Sequence, residues 1–223
     1  MPKGIKSSLI LRKEGYYAKQ HEVINISNEN KPWTPPKIPD KPKYIVLDIE
    51  TQGLKPLYME KVTCICAKDS DGETFSKVMT HPNYDVKDKK GLLNDEGYLL
   101  QFFLQWLSHR SHKHYFLITK NGKIFDIPFL FIRYVLRFGY DPVNDLPIIY
   151  YTHFDLQEIT SRRVSLQCMA EILGCAPKSG TGLNAIKLWK ERRYDELKEY
   201  CMQDVETTEE VFLQWRKLQG AKE

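Results

Sequence analysis

Acidic side chains at separate places in this 223-residue sequence have the types and spacing of metal ligands. Asp48 and Glu50 lie two residues apart in the segment 44–51, whose apolar residues are typical of a β-strand, so both carboxylates project from one face. Tyr200 and Asp204 lie four residues apart in a helical pattern, which places them on one helix face about one turn apart. Each spacing therefore places two polar side chains next to each other on one face of its element.

Asp126 is a third candidate, in the segment 121–130. Converging carboxylates repel one another by roughly 1 to 4 kcal/mol per close pair in the absence of a cation. Divalent cations that prefer oxygen ligands remove this cost. Each place also has a structural explanation: a solvated strand end, a helix start at Asp126 and Pro128, and an exposed helix face. The joint occurrence of all three, in order, favours one shared metal site.

The three segments resemble the motifs of the DEDDy exonucleases, the 3′-to-5′ nucleases of the ribonuclease H-like fold. The motifs stand here as Asp48-Ile49-Glu50-Thr51, as Asn121 followed by Phe125-Asp126-Ile127-Pro128-Phe129-Leu130, and as Tyr200 followed by Asp204. The second is most similar to the proofreading domain of family-B DNA polymerases. The resemblance extends over about residues 44 to 215.

This resemblance implies a two-metal site for Mg²⁺ or Mn²⁺. Asp48 would bridge the two cations, Glu50 and Asp204 would share the first, and Asp126 would hold the second mostly through water. The pair of cations would prepare the attacking water and stabilise the departing 3′ oxygen. A tyrosine phenol has an ordinary pKa of about 10, so Tyr200 is predicted to orient that water; the sister DEDDh branch has His at this position.

Five residues are candidate nucleic-acid contacts. The motifs imply that Thr51 and Asn121 hydrogen-bond the terminal nucleotide. Leu54, six residues after Asp48, is a candidate wedge against the terminal bases, and Phe129 a candidate stacking partner, although both also suit a core position. Lys178 is a candidate phosphate contact in a loop that equally suits a plain helix connector.

Apolar periodicity and turn residues predict the elements that position these groups. Strands are expected at 44–50, 62–68, 73–80, 115–119 and 148–151, and helices at 96–109, 127–138, 166–173, 183–191 and 195–218. The first three strands are joined tightly enough to be antiparallel, with Ser70-Asp71-Gly72 as a hairpin turn. A helical crossover makes the fourth parallel to the first. We predict an α/β ribonuclease H-like fold: a mixed five-stranded sheet of three antiparallel and two parallel strands, flanked by helices.

Charge divides the chain into two regions. Residues 1–43 carry nine Lys or Arg and four acidic residues, a net charge of +5, whereas the whole chain carries +4. This segment is also rich in proline and lacks sustained periodicity. It is predicted to be a basic N-terminal arm preceding a catalytic domain at 44–223. The arm is expected either to contact phosphates or a partner protein, or to be a solvated tail.

The composition is that of an ordinary globular enzyme, with 42% hydrophobic and 12% aromatic residues. No apolar run approaches the length of a membrane span, and five cysteines without a Cys-x-x-Cys pair are typical of reduced thiols in the cytoplasm. The expected function is metal-dependent 3′-to-5′ exonuclease activity on single-stranded or frayed DNA ends, in replication or repair, with a polymerase or helicase as a possible partner. The alternatives are a 3′-to-5′ exoribonuclease and a non-catalytic module that binds nucleic acid or docks on a polymerase.

Overall fold

In the computed structural model, residues 43–218 form a mixed six-stranded sheet with helices on both faces. The structure describes residues 37–54, 60–81, 91–93, 95–139, 148, 151–160, 163–176 and 182–221. The strands are β1 (Lys43–Thr51), β2 (Val62–Asp69), β3 (Thr74–Met79), β4 (Leu92–Leu93), β5 (Tyr115–Thr119) and β6 (Thr152–Asp155). The helices are α1 (Glu96–Ser108), α2 (Asp126–Phe138), α3 (Leu166–Leu173), α4 (Gly182–Lys190) and α5 (Tyr194–Leu218).

The sheet has the order β4-β3-β2-β1-β5-β6. β1, β2 and β3 are antiparallel neighbours, whereas β5 runs parallel to β1 and β6 runs parallel to β5. The predicted turn at 70–72 joins β2 to β3, with Gly72 at a φ of 89° and its N–H donating to the carbonyl of Asp69 at 3.0 Å. The predicted ribonuclease H-like fold and strand directions are therefore confirmed.

Alternating side chains of the strands distinguish the two faces of the sheet. On one face Phe75 of β3 packs against Phe103 of α1, with ring centroids 5.4 Å apart. On the other, Tyr44 of β1 packs edge-on against Phe212 of α5 at 5.5 Å and donates to Glu209 at 3.0 Å. Because side chains of a strand alternate, the residues of β1 with even numbers share the α5 face with Tyr44.

A buried ion pair ties the first two helices to the sheet. Arg133 of α2 donates two hydrogen bonds, of 2.9 and 2.6 Å, to the carboxylate of Glu96 at the start of α1. The same carboxylate accepts from the backbone N–H of Val62 at 2.8 Å. The pair is 5% and 2% exposed. This arrangement fixes the helix that begins with Asp126.

Two predictions about the sheet were wrong in detail. A sixth strand, β4, is present, but it is only two residues long and pairs with Val78 and Met79, so no sequence pattern marks it. The strand expected at 148–151 lies instead at Thr152–Asp155, where Thr152 pairs with Phe116. Hydrogen-bond register with β5 sets this strand, whereas the apolar run before it supplies core residues such as Ile148 and Tyr151. Most of the predicted arm, residues 1–36, lies outside the described residues.

Candidate active site

Three predicted ligands converge at one end of β1. Asp48, Glu50 and Asp204 each offer a carboxylate oxygen, and these oxygens lie within 4.8 Å of one another. β1 projects Asp48 and Glu50 from its α5 face, and α5 crosses that face with Asp204 directed inward, 6% exposed. An all-oxygen set of charged ligands at this spacing suits a hard divalent cation, which removes the repulsion between the carboxylates.

Tyr200 lies one turn before Asp204 on the same helix and is 7% exposed. Four residues correspond to slightly more than one helical turn, so both side chains lie on the face of α5 that meets the sheet. The structure therefore keeps a phenol next to the carboxylate cluster, within the same rigid element.

Asp126 occupies a gap in the sheet beside this cluster. β5 pairs with β1 only as far as Val46, so the next part of that edge of β1 has no strand beside it. The backbone N–H of Ile49 donates instead to Asp126 at 3.2 Å. Asp126 is 4% exposed and begins α2, while the N-cap position belongs to Phe125, which makes no side-chain cap. The carboxylate thus replaces a missing strand partner of β1.

The surroundings of Asp126 disfavour its charge when no cation is present. Burial, together with the charges of Asp155 and Asp204, raises the pKa of Asp126 to about 7, while hydrogen bonds from the backbone N–H groups of Ile49 and of Asp126 itself oppose the rise. A neighbouring cation would favour the ionised carboxylate and release its proton.

The loop after β5 is organised by Asp155 at the end of β6. Its carboxylate accepts from the backbone N–H groups of Asn121 at 2.6 Å, Lys123 at 2.9 Å and Gln157 at 2.9 Å. Asn121 has a φ of 66°, a left-handed conformation that asparagine tolerates better than most residues. These bonds give Asp155 a structural role, because they hold Asn121 in place.

A cleft of about 510 Å³ opens beside the carboxylates. Asp48 and Asp204 line it together with Asn121, Lys120 and Arg163. The sequence analysis did not identify Lys120 or Arg163 as residues of the site. Lys120 precedes Asn121 directly, a position that could have suggested it, whereas nothing in the sequence around Arg163 indicates proximity to the site.

Comparison with known proteins decides the family. A family model described as the RNase_H superfamily matches residues 45–216. The chain belongs to this superfamily. The matched range includes the carboxylate cluster, so a nuclease-like fold surrounds it. It also includes Asp126 and Tyr200.

A solved structure of the family B DNA polymerase from the hyperthermophilic archaeon Pyrobaculum calidifontis has a similar fold. The TM-score is 0.56 at 18% sequence identity, with 80% of this chain covered. The match covers 24% of the polymerase chain, so the chain corresponds to about a quarter of that protein. A search of curated proteins found no significant match.

The remaining predicted contacts of this RNase_H superfamily member differ in exposure. Leu54 is 71% exposed, and its side chain is accessible to a ligand. Thr51 is buried and donates its hydroxyl to the carbonyl of Gly53 at 2.5 Å, which shapes the chain between β1 and Leu54. Phe129 is 1% exposed and packs against Phe125, so it is a core residue of α2 and we omit it from the proposed contacts. Lys178 lies outside the described residues.

None of the helices described is long and apolar enough to span a membrane.

Proposed function

We propose that the chain is a metal-dependent 3′-to-5′ exonuclease that removes 5′-mononucleotides from single-stranded or frayed DNA ends. The convergence of Asp48, Glu50 and Asp204 carries this proposal, because carboxylate oxygens within 4.8 Å of one another repel and a divalent cation would remove that repulsion. Mg²⁺ and Mn²⁺ suit the oxygen ligands. Membership of the RNase_H superfamily and the order of the DEDDy motifs support it.

In this proposal the carboxylates divide into two roles. Asp48, Glu50 and Asp204 would hold one divalent cation, and Asp126 would help to hold a second. The cations would supply Lewis acidity, which activates the attacking water and stabilises charge on the departing oxygen. Asp126, whose pKa is raised to about 7 mainly by burial, would give up its proton to act as a ligand.

Other residues of the chain orient the substrate. The Tyr200 phenol positions the attacking water by a hydrogen bond. Lys120 and Arg163 give the cleft positive charge opposite the carboxylates, which suits a phosphate on either side of the scissile bond. Asn121 faces the same cleft and hydrogen-bonds the terminal nucleotide, and exposed Leu54 contacts its base.

Digestion of labelled oligonucleotides tests the proposal. DNA and RNA strands carrying a label at the 5′ or the 3′ end are incubated with the chain and Mg²⁺, Mn²⁺ or a chelator. We expect 5′-labelled DNA to shorten one nucleotide at a time, and the 3′ label to appear at once as a mononucleotide. Faster digestion of RNA would assign the exoribonuclease alternative. Binding of 3′ ends without cleavage would assign the non-catalytic alternative.

Asp204→Asn is the variant that ties cleavage to the site. It keeps the size of the side chain and removes the charge that holds the cation, so cleavage should fall below detection while the protein stays folded. Glu206→Gln is the matched control, because Glu206 is exposed on the same helix only two residues away. Near-normal cleavage by Asp204→Asn would reject the site.

A further inference from the structure

Three cysteine thiols form a second potential metal site directly beside the carboxylates. Cys64, Cys66 and Cys201 each offer a sulfur, and the three sulfurs lie within 4.8 Å of one another. All three residues are 0% exposed. We call this group the thiol cluster.

The sheet register explains why the thiol cluster adjoins the candidate active site. Cys66 pairs with Asp48 and Cys64 pairs with Glu50 across the antiparallel β1 and β2 strands. Cross-strand partners project from the same face of a sheet, so both sulfurs lie on the α5 face with the carboxylates. Cys201 follows Tyr200 on α5, the helix that covers this face, and its sulfur lies near those of Cys64 and Cys66.

The sulfur spacing fits a thiophilic cation. In a tetrahedral site with metal–sulfur bonds of about 2.3 Å, two sulfurs lie about 3.8 Å apart. The sulfurs of Cys64 and Cys66 are 3.8 Å apart. An oxygen ligand is also at hand, because Asp48 Oδ2 lies 3.6 Å from the sulfur of Cys201. Thiolate sulfurs favour a thiophilic cation such as Zn²⁺, which also accepts a carboxylate oxygen as a ligand.

We propose that the thiol cluster binds a thiophilic divalent cation such as Zn²⁺, with Asp48 as its fourth ligand. Each thiol that binds gives its proton to solvent, and no oxidation or reduction is involved. Because Asp48 also belongs to the proposed catalytic site, the bound cation takes that carboxylate away from Mg²⁺ and inhibits cleavage. The inhibitory part rests on the proposed function, whereas the binding part does not.

The competing explanation is ordinary core packing, since free cysteines are among the most buried residues. The chain supplies its own control for this possibility. Cys168 and Cys175 are also free thiols, and neither belongs to a group of converging ligands in the described part of the chain. A metal effect on the thiol cluster should therefore leave these two cysteines uninvolved.

Titration of the full chain with Cd²⁺ tests the binding part. Cd²⁺ bonded to thiolates gives an ultraviolet charge-transfer absorption that carboxylate ligands do not give, so the titration is done without Mg²⁺, which would compete for Asp48. We expect one Cd²⁺ per chain, with an intensity that corresponds to three thiolates, and displacement of Cd²⁺ by Zn²⁺. Cys64→Ala, Cys66→Ala and Cys201→Ala should each remove about a third of the intensity and weaken binding at least tenfold, while Cys168→Ala should match the wild type.

Absence of the absorption, or an absorption that the three variants leave unchanged, would overturn the proposal. Circular dichroism shows whether each variant folds. If one does not, the wild-type intensity per bound Cd²⁺ still gives the number of thiolates, and fewer than three contradicts the site.

Cleavage assays then test the inhibitory part. Micromolar Zn²⁺ in excess Mg²⁺ should inhibit the wild type and Cys168→Ala, and inhibit Cys66→Ala at least tenfold less. Equal inhibition of all three would place the inhibitory Zn²⁺ at the carboxylates and overturn this part. The two proposals fail separately, because cadmium absorption without cleavage rejects only the exonuclease, and cleavage without absorption rejects only the thiol site.

Discussion

At the residue scale, Tyr200 differs from the other predicted catalytic residues because its side chain is a phenol and not a carboxylic acid. It lies one turn before Asp204 on α5 and is buried against the sheet. Asp126 differs, because the backbone N–H of Ile49 in β1 holds its carboxyl group in place. The phenol is the group whose role a single-atom deletion can isolate.

Tyr200→Phe should lower turnover roughly 10- to 100-fold and leave residual cleavage, because the cations persist while the attacking water loses one orienting hydrogen bond. Binding of a DNA 3′ end and of Mg²⁺ should change little. Single-turnover kinetics with saturating enzyme measure the effect on the chemical step.

Tyr194→Phe is the matched control for this prediction. Tyr194 is buried at the start of the same helix, and its hydroxyl donates to or accepts from His81 at 2.7 Å. The control should lose some stability and keep near-normal turnover. Wild-type turnover in Tyr200→Phe would exclude the water-orienting role.

His153 predicts a pH dependence of stability. Burial, helped by the charge of Lys123, lowers its pKa from 6.5 to about 3, and its ring nitrogen lies 2.7 Å from the hydroxyl of Thr119. The unfolded chain binds a proton at this ring below pH 6.5 and the folded chain does not until about pH 3. The folded state therefore loses stability as pH falls through this window, by about 1.4 kcal/mol at pH 5.5.

The comparison of His153→Gln with the wild type isolates this effect. Urea unfolding in a chelator should show the variant's deficit in unfolding free energy shrinking by about 1.4 kcal/mol between pH 7.5 and 5.5. Protonation of Asp126, whose pKa is raised to about 7, stabilises the folded state as pH falls through the same range. This contribution is present in both proteins and cancels in the comparison. A deficit that is independent of pH would contradict the prediction.

At the element scale, α1 and α2 are joined by two ion pairs of very different exposure. Arg133–Glu96 is buried, whereas Arg137–Asp95 has side chains 47% and 37% exposed. Both arginines belong to α2 and both acids to the start of α1, so the two pairs differ mainly in access to water.

Arg133→Ala should destabilise the protein by about 3 to 5 kcal/mol, since it leaves Glu96 buried without its partner. Arg137→Ala, the matched control, should cost about 0 to 1 kcal/mol because solvent replaces the lost contact. Denaturant unfolding measures both. Similar losses in the two variants would mean that burial does not govern the strength of these pairs.

Because α2 begins with Asp126, the Arg133→Ala protein that remains folded should also bind divalent cations more weakly.

At the scale of the whole molecule, charge is unevenly distributed along the chain. Residues 1–36, outside the described residues, carry six Lys or Arg and three acidic residues, a net charge of +3. Arg216 of α5 donates to the carbonyls of Pro39 and Asp40 at 2.8 Å, so a deletion that ends at residue 36 leaves this contact intact.

Deletion of residues 1–36 should weaken binding to single-stranded DNA and flatten its dependence on salt. Each lost phosphate contact removes about 0.7 units from the slope of log affinity against log salt concentration. Cleavage of a short substrate at saturation should persist, because no proposed ligand lies in the deleted segment. Fluorescence anisotropy over a salt series measures the slope, and an unchanged slope would assign the segment to a partner protein or to solvent.

Local patterns in the sequence were sufficient to predict most elements and to select the candidate ligands. Residues 115–119 and 166–173 match β5 and α3 in both bounds, because alternation and helical periodicity are set by near neighbours along the chain. The motif residues Asp48, Glu50 and Asp204 also carry their chemistry in their own side chains. Their convergence follows from the order of strands and helices that those patterns imply.

Tertiary structure alone decided which side chains face the cleft and which face the core. Phe129 suited both positions until the packing of α2 buried it, and β6 was placed by its hydrogen-bond register with β5 and not by apolar content. Arg163 and Lys120 reach the cleft, and Cys201 meets Cys64 and Cys66, across long stretches of sequence. Contacts of this kind depend on how elements pack, and the periodicity of a single segment contains no information about its distant neighbours.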